Sequence, residues 1–259
     1  MSRRPARLFV LSTLLAGAAV FAEEPAPFSW PERAENLTSL PADLPAENLR
    51  AVMTGFTSAL GVRCSHCHDG EEGAPLGAYD FVSDANPKKQ TARVMLDMLG
   101  DINKKLRTIE PGGPARVNMW CHTCHRGHAR PTTLAEELRD AYAAEGAGAG
   151  AVVARYRDLR ATYHGRGTFD FGEHVLNQVG YQMLAEEKPV DAVQVFELNV
   201  EMYPQSANAH DSLGEGLAAA GNHAGAIEHY ELSLQLDPGN DNAREMLKQL
   251  RSAAKSAAP

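Results

Sequence analysis

Residues 62–68 read VRCSHCH and residues 119–125 read MWCHTCH, so all four cysteines of this chain sit in two copies of Cys-x-x-Cys-His. No other feature narrows the fold as much. Two cysteines with two residues between them make a strained, reducible bridge, and a bridge leaves the following histidine without a role. Zinc modules use two such pairs, but about 15–20 residues apart; here 53 residues separate Cys67 from Cys121. A thioredoxin-type site needs one pair in a βαβ setting, and neither copy has that setting. Covalent attachment of c-type haem uses every residue of the motif. Two thiols add to the two vinyl groups of one porphyrin, and the adjacent histidine faces the iron. The sequence therefore predicts two covalently bound c-type haems. Cys64 and Cys67 would hold the first, with His68 at its iron; Cys121 and Cys124 would hold the second, with His125 at its iron.

The chain opens with Arg3, Arg4 and Arg7 ahead of an apolar run from Leu8 to Phe21, followed by Ala22 and two glutamates. That is the layout of a secretory signal over residues 1–22 with cleavage after Ala22. The run is about fourteen residues, short for a bilayer span of about twenty. The expected location is periplasmic or otherwise exported, with association at the outer face of the inner membrane. The net charge is −8, and loss of the three leader arginines takes it to −11. Such an acidic chain is a poor match for nucleic acid.

Each iron then needs a sixth donor or an open face. In PAENLRAVMTGFTSALGVRC, Met53, Phe56 and Leu60 share one helical face and Gly61 ends the helix. That helix can fold over the haem opposite His68, and Met53 is either an iron ligand or part of a packed stripe. Between the motifs, DANPKKQTARVMLDMLGDINKKLRTIE predicts a second amphipathic helix, capped by Asp84 or Asn86 with Pro87 in its first turn. Its apolar face is expected to carry Val94, Met98, Ile102 and Leu106. Met95 stands about 60° from Met98 around the helix, and either methionine can serve the second haem. His128 is a competing donor; His66 and His122 lie inside the attachment loops and are poorly placed to cross the haem.

The stretches NLRAVMTGFTSALGVRCSHCH, SDANPKKQTARVMLDMLGDIN and WCHTCHRGHARP together resemble one half of the photosynthetic reaction-centre cytochrome c subunit. That subunit carries four haems in two pseudo-symmetric dihaem halves. The resemblance covers roughly residues 40–131. It implies that Met53 is the axial partner of the first haem and Met98 that of the second. Lys88, Lys89 and Arg93 match a basic patch of the same motif, facing haem propionates or solvent. This chain departs from the family in having two haem motifs, not four, and in the helical module that follows.

Downstream of Pro131, residues 132–143 read as a short helix, AAEGAGAGA as a connector, and AVVARYRDLRATYHG as a helix closed by glycine. Gly180, Ala192, Phe196 and Pro204 then recur 34 residues later as Gly214, Ala226, Tyr230 and Pro238. This resembles the tetratricopeptide repeat. Two repeats cannot cover their own end faces, so the helix at 151–165 is expected in front and DNAREMLKQLRSA behind. The concave face would carry His174, Asn177 and Tyr181, then Asn208, Asp211 and Glu215, which suits a polar or basic peptide, or solvent. His164, His174, His210, His223 and His229 read as surface or inter-helix residues.

The fold expected is all-α. It divides into a signal peptide (1–22), a dihaem c-type cytochrome domain (23–135), a helical linker (136–172) and tetratricopeptide repeats with a C-terminal capping helix (173–252). An iron filled on both sides exchanges electrons with little rearrangement, and methionine ligation raises its potential. The expected activity is therefore electron carriage between redox proteins, a membrane complex included, with a protein or peptide partner at the repeat groove. Two other classes compete: a dihaem peroxidase-type enzyme with one open iron, and a repeat-based assembly factor with structural haems.

Overall fold

The computed structural model describes residues 28–109 and 118–256; the expected leader at 1–22 lies outside them. Among the described residues every regular element is helical. In chain order these are α1 (Ala46–Leu60), α2 (Pro87–Ile109), α3 (Cys121–His125), α4 (Leu134–Ala143) and α5 (Ala149–Tyr163). They are followed by α6 (Glu173–Ala185), α7 (Pro189–Met202), α8 (Ala207–Ala219), α9 (His223–Leu236) and α10 (Asp241–Ser256).

The sequence punctuates these helices by familiar chemistry. Gly61 closes α1 in the left-handed region at φ +66°, a conformation that carries little penalty without a Cβ. Asn86 caps α2 by accepting the Lys88 N–H at 3.0 Å. Thr133 and Glu136 open α4 with a reciprocal pair of hydrogen bonds at 3.2 and 2.9 Å.

From α4 onward the helices share one core. Leu138, Val152, Tyr156, Leu159, Leu176, Phe196 and Tyr230 are all fully buried within it. The first four of these lie in the span read above as a helical linker. They are buried because α5 packs on α4 and α7, covering an apolar end that the first repeat would otherwise leave in water. At the other end α10 packs on α9.

The two repeats match in detail. A Cβ added at Gly180 would stand 2.4 Å from the Phe196 ring, and one added at Gly214 would stand 3.0 Å from the Tyr230 ring. The 34-residue period thus spaces a pair, a glycine on one helix and the aromatic ring that fills its place from the next. The tighter contact makes a prediction. Gly180→Ala should destabilise the protein by about 1–3 kcal/mol through overpacking. Gly214→Ala, where the helix-propensity gain of about 1 kcal/mol offsets a looser contact, should lie closer to neutral. Urea unfolding of both variants checks the order.

Candidate functional site

The N-terminal half is built differently. Between residues 28 and 131, Leu49 and Ala59 are the described apolar residues that are fully buried. In place of a packed centre, α1, α2, α3 and the segment 28–37 line a continuous cavity of about 1210 Å³, above the usual range for a single small-molecule site.

Two close backbone approaches shape it. A Cβ on Gly61 would fall 2.1 Å from the carbonyl oxygen of Gly127, and the Gly127 N–H donates to the Ala59 carbonyl at 2.8 Å. The end of α1 and the loop after α3 therefore meet with no side chain between them, which brings the two Cys-x-x-Cys-His segments to one cavity.

Each motif is coiled so that its three donors share a side. α3 is a single turn holding Cys121, Cys124 and His125 at i, i+3 and i+4, positions that face one way on a helix. The first motif is a 3-10 turn over Cys64–His66, completed by a His68 N–H to Cys64 carbonyl bond at 3.0 Å. All four cysteines, His68 and His125 line the cavity.

α2 spans between the motifs and ties both. The Asn86 amide at its start donates to the carbonyls of Ser65 and His66 at 3.4 and 3.2 Å. Seventeen residues later, about 25 Å along the helix, Asn103 donates to the Met119 carbonyl at 2.9 Å and accepts its N–H at 2.7 Å. Neither asparagine was singled out as a clamp from the sequence, where each is one polar residue among many.

The methionines come from the two helices that flank the cavity. Met53, Phe56 and Leu60 line it from α1. From α2 the lining stripe is Ala92, Met95, Leu96, Met98, Leu99 and Ile102. The helix is thus rotated from the expected face, because this set follows the i, i+3, i+4, i+7 rule with Met95 at its centre. Val94 is turned outward at 58% exposure, and Met98 stands at the cavity's edge at 47% exposure. His66 also lines the cavity, whereas His122 and His128 are not among its lining residues.

The basic patch serves the backbone. The Lys89 ammonium donates to the carbonyls of Phe81, Val82 and Ser83 at 3.1, 2.9 and 2.7 Å and pairs with Asp84 at 3.2 Å. Arg93 pairs with Asp84 at 2.9 Å and donates to the Asn36 carbonyl at 3.2 Å. Both side chains are only 12% exposed, so these two are neither a solvated face nor free cations. Lys88 lines the cavity mouth.

Aromatic side chains that the sequence reading passed over close the first motif's side. Phe28 meets Trp30 at 5.6 Å and Phe81 at 5.4 Å, and Phe81 stands edge-on to His68 at 4.9 Å. Burial, aided by the Lys89 ammonium, pushes His68 below the ordinary imidazole range, so its neutral ring offers a lone pair. Burial also pushes the Cys67 and Cys121 thiols up, away from the thiolate form a zinc site or reactive cysteine requires. His125 is buried, and its Nδ1 donates to the His128 carbonyl at 3.1 Å; the carbonyl can only accept, so in the neutral ring the lone pair lies on Nε2. Two thiol pairs, two imidazoles and methionine thioethers around one large apolar cavity fit covalently bound haem.

Residues 34–158 match the family described as the photosynthetic reaction centre cytochrome C subunit. That stretch is similar to this family. The photosynthetic reaction center cytochrome c subunit of Rubrivivax gelatinosus is 30% identical over 106 residues, covering 37% of this chain and 27% of that protein. This chain therefore spans about a quarter of that relative's length. The similarity points to a c-type cytochrome with covalently bound haem. Among solved structures, the first TPR of Spaghetti (RPAP3) bound to an HSP90 peptide is 17% identical, covering 47% of this chain and 90% of that one at a TM-score of 0.34. The Sgt2 TPR domain from Aspergillus fumigatus is 17% identical, covering 48% and 78% at a TM-score of 0.34. The repeat fold itself rests on the 34-residue period and the paired glycine–aromatic contacts. No helix among the described residues is long and apolar enough to cross a membrane.

The segment that leads into α2 carries a titratable lock. The Arg93 guanidinium beside Asp84 holds its carboxyl down to about 2, with Lys89 and Asn36 adding to the effect. A depressed carboxylate contributes stability above its unfolded pKa, and loses it as pH falls through the folded value. The Asp84 contribution should be complete above about pH 4 and gone near pH 2. Thermal melts of the protein and its Asp84→Asn variant should converge over that window and differ above it, with a gap that narrows in high salt.

Proposed function

We propose that this chain is an exported dihaem c-type cytochrome that carries single electrons between redox proteins. The observation supporting it is that one cavity is lined by both Cys-x-x-Cys-His sets and by methionines from two flanking helices. In this reading Cys64 and Cys67 bind one haem and Cys121 and Cys124 the other. His68 and Met53 are the donors to the first iron, and His125 and Met98 those to the second. Bound there, each haem supplies a one-electron couple, raised in potential by its methionine.

The chain's own residues do the rest. Phe28, Trp30 and Phe81 keep water from the His68 side, and α1 and α2 bring thioether sulfurs toward it. Met98 lines the cavity from its exposed side, while Met95 packs at the stripe's centre. Export places the cytochrome in the periplasm, free or at the outer face of the inner membrane.

The repeats dock a partner protein or peptide. The groove positions are partly committed to one another, which favours docking on a rigid surface. Tyr181 donates to Glu215 and accepts from Ser212, both at 3.1 Å, Asn177 accepts from Asn199 at 2.7 Å, and Asp211 accepts from Asn240 and Asn242 at 3.1 and 2.9 Å. Asn208 reaches Glu173 at 3.0 Å. The carboxylates Glu173 and Glu215, which are part-exposed, favour a partner segment with basic residues.

A second reading, a peroxidase-type enzyme with one open iron, draws on the 47% exposure of Met98. Spin state separates the two. Optical and EPR spectra of the mature protein should show low-spin iron alone. Met53→Ala and Met98→Ala should each convert one centre to high spin, and Met95→Ala should convert neither. High-spin iron in the unaltered protein would favour the enzyme.

A further inference from the structure

The loop that follows the second motif is gripped from two sides. Arg126 and Gly127 lie in the left-handed region at φ +49° and +84°, and a non-glycine residue stays there only when its surroundings fix it. On one side α1 provides the Ala59 carbonyl described above. On the other side stands the segment between α5 and α6. Thr168, 3% exposed, donates its hydroxyl to the Arg126 carbonyl at 2.6 Å. The His128 ring is met edge-on by Phe169 at 5.3 Å and by Tyr163 at 5.6 Å, and these two meet each other at 5.4 Å. The ring is pinned further by its Nδ1, which donates to the Arg130 carbonyl at 2.6 Å. The carbonyl of this same His128 accepts the Nδ1–H of His125 at 3.1 Å.

We propose that Thr168, Phe169 and Tyr163 of the repeat body are positioning residues for His125, so that the repeat body sets the electron affinity of the second haem. The proposal rests on the dihaem reading above. Its chemistry is that of an imidazole whose N–H is held to a carbonyl: the far nitrogen becomes a stronger donor and stabilises the oxidised metal. Loosening the loop weakens that hydrogen bond and raises the midpoint potential. The first haem stands apart from this grip, because the His68 ring packs edge-on against Phe81, in the segment that leads into α2.

The test is spectroelectrochemical titration of the mature holoprotein, with haem per chain measured on each sample. Thr168→Val removes the hydroxyl and keeps the shape; Thr168→Ser keeps the hydroxyl; Phe169→Leu keeps an apolar side chain but removes the ring. Met53→Ala marks the first haem. Thr168→Val and Phe169→Leu should each raise one midpoint, and it should not be the one that Met53→Ala moves. Thr168→Ser should stay at the parent value. Phe169→Leu supplies the answer alone if Thr168→Val yields no holoprotein. Unmoved midpoints, two midpoints moving together, or a Thr168→Ser shift as large as that of Thr168→Val would overturn the proposal with the dihaem reading intact. A parent chain bearing fewer than two haems would overturn both.

Discussion

The contact on which the N-terminal half depends is the meeting of two backbones, Gly61 at the end of α1 and Gly127 beyond α3. Any Cβ at Gly61 would occupy the space of the Gly127 carbonyl. Because the segments touch there, both Cys-x-x-Cys-His turns border the same cavity, and α2 can reach each of them with one asparagine. Shape and donor placement follow from main-chain proximity, reinforced by a few side-chain amides. Apolar packing contributes little to it, since few residues in this half are fully buried.

The two halves thus answer the problem of folding in opposite ways. From α4 to α10 the chain buries rings and branched aliphatics in one continuous core, and glycine–aromatic pairs set the spacing between successive helices. From α1 to α3 it surrounds a cavity whose walls carry sulfur and imidazole donors. Such a wall gains its stability from whatever fills it. The firm half leans on the hollow half at the loop 126–130, next to His125.

Much of this was legible in the chain itself. The Cys-x-x-Cys-His motifs are local, so the cysteines and histidines that line the cavity could be named by number, and the 34-residue period is a one-dimensional signal that survives without coordinates. α1 was readable because Gly61 stops it and three apolar residues share a face. The face of α2 was harder. Its apolar residues are dense enough to fit two stripes, and only the position of the neighbouring elements selects the one centred on Met95 and turns Val94 outward. Lys89 and Arg93 read as surface cations because their carbonyl partners are supplied by a loop whose path the sequence does not encode locally. The Asn86 and Asn103 clamps, the Phe28–Phe81–His68 chain and the Thr168 grip were invisible for the same reason: each joins residues that are distant in sequence or unremarkable in type.

The whole account stands on two haems being bonded to one chain. Intact mass spectrometry of the mature protein, made in a host that matures c-type cytochromes, tests this most directly. The account predicts a mass equal to the polypeptide plus two haem groups, with each attached to a peptide containing one Cys-x-x-Cys-His segment after digestion. A mass equal to the bare polypeptide, or to the polypeptide with one haem, would contradict it.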